Sequence, residues 1–152
     1  MNDTLIELKN VNLNFGQRDI FSNLNLTIPR GKIIAILGPS GCGKTTFLRL
    51  ISRLISPDSG EIFYKGQELC QLSENKIQKV RQEMGFLFQS NALFTDLTVY
   101  ENIAYPIRVH SKLPESLIRH IVLMKLQMVG LRGAAFKMPN ELSGGMLSLI
   151  HI

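Results

Sequence analysis

A chain of 152 residues, 45% of them hydrophobic, is long enough for one domain with a sizeable core and is not composed like a disordered segment. Its net charge of +5 comes from scattered lysines and arginines, the densest group being Lys76, Lys79 and Arg81, which fits a solvated helix face better than a nucleic-acid surface. No apolar run approaches the ~20 residues that span a bilayer, the opening Met1-Asn2-Asp3-Thr4 is polar, unlike a secretory leader, and Cys42 and Cys70 form neither a disulfide framework nor a metal spacing. The expectation is a soluble chain with reduced thiols, or one that meets a membrane only through a partner.

In chain order, Val11, Leu13 and Phe15 alternate with Asn12 and Asn14, and Leu24, Leu26 and Ile28 alternate again before Pro29-Arg30-Gly31. This period of two predicts antiparallel strands. Lys32-Ile33-Ile34-Ala35-Ile36-Leu37 is a short apolar run and predicts a buried parallel strand. Gly38-Pro39-Ser40-Gly41-Cys42-Gly43-Lys44-Thr45 follows it and fits the phosphate-loop pattern G-x-x-x-x-G-K-[ST]. Thr46 to Ile55 then carries apolar residues at helical spacing, with Arg49, Ser52 and Arg53 assigned to the opposite face.

Strand, glycine loop and helix together predict a nucleoside triphosphate site. Gly38, Gly41 and Gly43 let backbone N–H groups approach phosphate oxygens. The helix start points its positive dipole end at the same anion. Lys44 is expected to reach the β- and γ-phosphates, and the Thr45 hydroxyl to ligate Mg²⁺. Cys42 lies in that anion cradle, so nucleotide should protect it from alkylation.

Pro57-Asp58-Ser59-Gly60 predicts a turn, Glu61-Ile62-Phe63-Tyr64 a strand, and Lys65-Gly66 a second turn. Ser73 suits the cap of a helix reaching about Gln82, and Met84-Gly85-Phe86-Leu87-Phe88 is a second buried-strand candidate ending at Gln89. The texture then becomes helical. Thr98-Val99-Tyr100-Glu101 has capping-box form, and Pro114 opens a helix through Leu117, Ile118, Ile121, Met124 and Met128 that stops at Gly130, with the methionines expected in the core.

Leu142-Ser143-Gly144-Gly145-Met146 comes next. After the phosphate loop and the strand-ending glutamine, it resembles the signature of the ATP-binding-cassette (ABC) ATPases, Leu-Ser-Gly-Gly-Gln. The resemblance runs from about Leu5 to Met146. It implies an α/β fold: a P-loop NTPase core with an N-terminal antiparallel β subdomain and a helical subdomain, the C-terminal half of the core missing. Residues 1–89 would form the β subdomain and P-loop core, and 90–146 the mainly helical subdomain.

Position by position, the resemblance implies that Phe15 stacks on adenine; its alternation with Val11 and Leu13 equally allows a core residue. It implies that Gln89 reaches Mg²⁺ and the attacking water; the alternative is a surface glutamine in a turn. Gly38, Pro39, Ser40, Gly41, Cys42, Gly43, Lys44, Thr45 and Thr46 would bind the nucleotide's phosphates. Ser143, Gly144 and Gly145 would clamp the γ-phosphate held by a second subunit, giving a head-to-tail homodimer around two ATP molecules.

The stretches Phe88 to Val99 and Val129 to Ala135, with Met146 in place of the signature glutamine, are similar to the Mla-type subfamily, which moves phospholipid between the two membranes of Gram-negative envelopes. That similarity implies an integral membrane permease, an MCE-type lipid-binding protein reached through it, no nucleic acid, and a peripheral place on the cytoplasmic face of the inner membrane. Leu93, Phe94 and Tyr100 would touch the permease or else belong to the helical core.

The sequence given departs from the family after Met146. It has no Walker B strand, no catalytic glutamate and no switch histidine; His151 stands too close to Gly145 to be that residue. Leu147-Ser148-Leu149-Ile150-His151-Ile152 matches a translated transposase-adapter sequence (CTG TCT CTT ATA CAC ATC), so residues 147–152 are expected to be an adapter-derived tail. The chain as given is expected to bind ATP without turnover, or, in a rival reading, to belong to a soluble non-transport cassette. A GTPase is disfavoured because Asn75-Lys76-Ile77-Gln78 fails the last position of the guanine motif Asn-Lys-x-Asp.

Overall fold

The computed structural model describes residues 3–88 and 92–150. The chain divides into two compact units, Met1–Gly85 and Phe86–Ile152, each with its own core.

The first unit is built on an antiparallel sheet of order β2-β1-β3-β4, with β1 Thr4–Phe15, β2 Arg18–Pro29, β3 Ser59–Tyr64 and β4 Gln67–Glu68. Ile6, Leu8, Val11 and Leu13 of β1 all face the core. Strict alternation would not place both Leu8 and Val11 inward. The register slips between them, and Asn10 takes a left-handed φ of 50°, so a bulge restores the inward face after one extra residue.

Asparagines hold this irregular stretch. The Asn25 side-chain oxygen accepts from the Asn10 N–H at 2.9 Å, and that of Asn12 accepts from the Asn23 N–H at 2.7 Å. The Asn12 amide also donates to Ser59 Oγ at 2.9 Å, tying all three long strands together. Gly60 sits against the bulge with φ 94°; a Cβ there would lie 2.5 Å from the Asn10 carbonyl oxygen and 2.6 Å from Val11 Cα.

Two helices cover this sheet: α1, Lys44–Ile51, and α2, Glu74–Gln82. Phe47, Leu50 and Ile51 of α1 and Ile77 and Val80 of α2 join Leu8, Val11 and Ile62 in the core. Phe21 meets Phe47 edge-on, with centroids 6.3 Å apart. Ser52 is buried rather than on the outer face, because its hydroxyl donates back to the Leu48 and Arg49 carbonyls at the end of α1. Ser73 stands at the α2 N-cap, but its side chain makes no capping bond.

The two predicted buried strands do not form. Lys32–Leu37 and Met84–Phe88 pair with no strand among the described residues, and Ile33, Leu37 and Leu87 are exposed. Apolar strands of this kind are stable only with neighbours on both edges and layers on both faces, and the described sheet offers neither.

The second unit packs α3, Val99–His110, against α4, Glu115–Met128, followed by 3₁₀ turns at Arg132–Ala134 and Pro139–Glu141 and by α5, Gly144–Leu149. Thr98 caps α3, its hydroxyl accepting from the Glu101 N–H at 3.2 Å. The Glu101 carboxylate does not close the box; it pairs with Arg108, which also grips Glu115 at the start of α4. Pro114 is the N-cap of α4, one position before the first turn, and Gly130 ends the helix with φ 73°.

The buried face of α4 is Ile118, Val122 and Leu126, spaced by four. Met124 and Met128 fall off that stripe, and Met128 is 70% exposed, so the methionines are surface residues rather than core. Ile150, within the expected tail, is buried in this unit's core.

Candidate functional site

The glycine loop connects the unpaired run ending at Leu37 to the head of α1. Gly43 is the α1 N-cap at φ 97°, a conformation in which a side chain would be strained, and a Cβ there would stand 3.0 Å from Ile20 Cγ2 and 3.3 Å from Phe21 Cζ. That close approach draws the loop onto β2. Three N–H groups at the start of α1, those of Lys44, Thr45 and Thr46, precede its first intrahelical bond, from Phe47 to the Gly43 carbonyl at 2.7 Å.

Lys44 curls back over the loop. Its ammonium donates to the Gly38 and Pro39 carbonyls, each at 2.7 Å, and lies 3.7 Å from Cys42 Sγ. The structure thus brings Gly38, Pro39, Cys42 and Lys44 together. Thr45 is exposed and Thr46 half-buried on the first turn. Phe21, Leu24, Ile36, Leu37 and Phe47 border an apolar cavity of about 210 Å³ against the loop.

The donor set fits a polyphosphate: N–H groups at a helix head, an ammonium with no carboxylate among its partners, and an exposed hydroxyl. Among the described residues no cluster of three or more His, Cys, Asp or Glu could cage a metal. A magnesium ion here would arrive with the phosphates, and the exposed Thr45 hydroxyl is an oxygen that could face it.

Phe15 closes β1 with its ring 53% exposed, beyond the buried Val11 and Leu13, so it is not a core residue. Arg18, which sequence reasoning passed over, stands opposite it across the Gly16-Gln17 turn, and its Nη2 donates to the Gly41 carbonyl at 2.9 Å. No local pattern signals that bond, since its partners are 23 residues apart.

Ser143, Gly144 and Gly145 lie in the second unit, at the head of α5. The Ser143 hydroxyl accepts from the Met146 N–H at 3.4 Å, and all three residues are exposed. Gln89 lies outside the described residues. Leu93 and Tyr100 pack against the second core, with Tyr100 stacked on Phe136 at 6.1 Å, whereas Phe94 is exposed and meets Tyr105 edge-on at 5.0 Å.

The ABC transporter family profile matches residues 21–152. The chain is 58% identical over 146 residues to the intermembrane phospholipid transport system ATP-binding protein MlaF of Haemophilus influenzae, covering 96% of this chain and 55% of that protein. Against MlaF of Escherichia coli K12 the identity is 54% over 142 residues, covering 93% and 53%. The chain therefore spans about half the length of the curated relatives it matches. Among solved structures it is similar to the ATP-binding cassette MJ0796, a dimer in a post-hydrolysis state bound to ADP and Pi, with TM-score 0.84, 32% identity and coverage of 97% of this chain and 67% of that one.

Proposed function

The chain belongs to the ABC transporter family, and from that membership we propose that it is the ATP-binding part of a transporter ATPase that couples ATP binding and hydrolysis to phospholipid movement across the cell envelope. The observation that carries the reading is Lys44, folded over the glycine loop at the head of α1, with the Gly38 and Pro39 carbonyls and the Cys42 sulfur for partners and no carboxylate among them. Support for the phospholipid substrate comes from the similarity to the two MlaF proteins.

Lys44 would leave the Gly38 and Pro39 carbonyls for the β- and γ-phosphates, where its charge is opposed by charge rather than by dipoles. The loop and first-turn N–H groups would hold the remaining oxygens, and Thr45 would orient the accompanying magnesium ion. That ion, when bound, neutralises charge on the phosphates during in-line attack of water. Gln89 would position that water. Phe15 would stack on adenine, and Ser143, Gly144 and Gly145 would close over the γ-phosphate of a second subunit.

Partners follow from the same reading: a homodimer through the nucleotide sites, an integral permease and, through it, an MCE-type lipid-binding protein. No helix among the described residues is long and apolar enough to cross a membrane; the peripheral place on the cytoplasmic face of the inner membrane is proposed from the similarity to the MlaF proteins.

The sequence given has no strand-ending Asp-Glu pair after Gly145. The 152-residue chain is therefore expected to bind ATP·Mg²⁺ without turnover. Titration with a fluorescent ATP analogue should show saturable binding that Lys44→Met removes. Wild-type chain that ignores the nucleotide would overturn the reading, and measurable phosphate release would overturn the expectation of binding alone.

A further inference from the structure

Arg18 is an exposed guanidinium at the tip of the β1–β2 hairpin, and its one described bond is to the phosphate loop. Among the described residues it has no carboxylate at ion-pair distance. Its charge is therefore not neutralised by a neighbour. A free surface arginine gains little from bonding one neutral carbonyl; what the bond changes is the carbonyl's direction.

Across a planar trans peptide the carbonyl and the following N–H point in opposite directions. With the Gly41 oxygen held by Arg18, the Cys42 N–H is turned the other way, into the loop, where it meets the Pro39 carbonyl at 3.4 Å. That contact is long for an N–H···O bond. A phosphate oxygen would be a stronger acceptor for the same donor. Directly opposed residues of an antiparallel pair share a face, so Arg18 also stands on the side of the hairpin that carries Phe15.

We propose that Arg18 is a positioning residue for nucleotide binding: it aims the Cys42 N–H at the phosphates by holding the Gly41–Cys42 peptide, and it fastens the aromatic tip of the hairpin to the loop. The proposal rests on the ATP-binding reading above and adds to it a residue outside the phosphate-loop pattern.

The test compares wild type, Arg18→Met and Arg18→Lys, with a fluorescent ATP analogue as reporter and inorganic tripolyphosphate or adenosine as competitor, alongside urea midpoints. Loss of one charge-assisted contact and of loop order should weaken tripolyphosphate binding by Arg18→Met about tenfold. Adenosine competition should weaken too, but by less, because Phe15 keeps its place on β1; Arg18→Lys should recover most of the loss, and the urea midpoints should coincide. Tripolyphosphate binding by Arg18→Met equal to wild type would overturn the proposal, as would a loss that follows only a lowered urea midpoint in both variants. Wild-type chain that binds neither ATP nor tripolyphosphate would instead overturn the ATP-binding reading, and the proposal with it.

Discussion

At the residue scale, a glycine outside the loop is as constrained as those inside it. Gly60 has no space for a side chain, and the atoms in the way are β1 backbone, which cannot swing aside. Gly60→Ala should destabilise the first unit by about 2–4 kcal/mol, through strain at positive φ and displacement of the bulge. Urea denaturation followed by far-UV circular dichroism would measure it, and a change under about 0.5 kcal/mol would mean the bulge relaxes freely. Cys42 offers a chemical test. Its thiol is exposed and lies beside the Lys44 ammonium, so N-ethylmaleimide should abolish ATP binding, and ATP should slow the labelling. Equal labelling with and without ATP would place the thiol outside the bound phosphates' reach.

At the scale of elements, the caps and the arginine hub of the second unit make separable predictions. Thr98→Ala removes the acceptor for the Glu101 N–H and should cost about 1 kcal/mol, read as a lower urea midpoint, with Thr98→Ser restoring it. The hydrogen bond from Arg108 holds Glu115 below its ordinary carboxyl value of 4.5. A depressed folded-state value means the pair contributes above pH 4.5 and loses that contribution as pH falls through the folded value. The stability gap between wild type and Arg108→Met should therefore be present at neutral pH and close in acid. It should also shrink with salt, since every partner is exposed; a gap constant from pH 7 down to about pH 3 would assign the effect to packing of the arginine stem. These elements also show what the residues announce by themselves. Alternation marks β1 and β2, and the threonine cap and the stop at Gly130 mark α3 and α4, because each signal is local. The run Lys32–Leu37 is equally apolar, yet its state depends on strands elsewhere that pair with it. The bond from Arg18 to Gly41, the asparagine ties across the sheet and the exposed faces of Met124 and Met128 depend on tertiary register, which no short window contains.

For the whole molecule, the apolar runs left unpaired decide its behaviour in solution. Ile33 and Leu37 are exposed on a segment with no ladder bonds to the described strands. Surface of this kind binds hydrophobic dyes and associates with itself. The purified chain should raise the fluorescence of 8-anilinonaphthalene-1-sulfonate in native buffer, and the double variant Ile33→Ser, Leu37→Ser should lower that signal and the tendency to aggregate. No dye response from the wild-type chain would show that the segment is covered in solution. The division of the chain has a different kind of consequence. Each unit is one uninterrupted run of sequence, the first ending at Gly85. Synthesis runs from the N-terminus, and domains generally fold as they emerge. On the ribosome, every residue of the sheet and the phosphate loop has therefore been added before the first residue of the second unit, and the first unit is free to fold, once it has emerged, ahead of the signature turn.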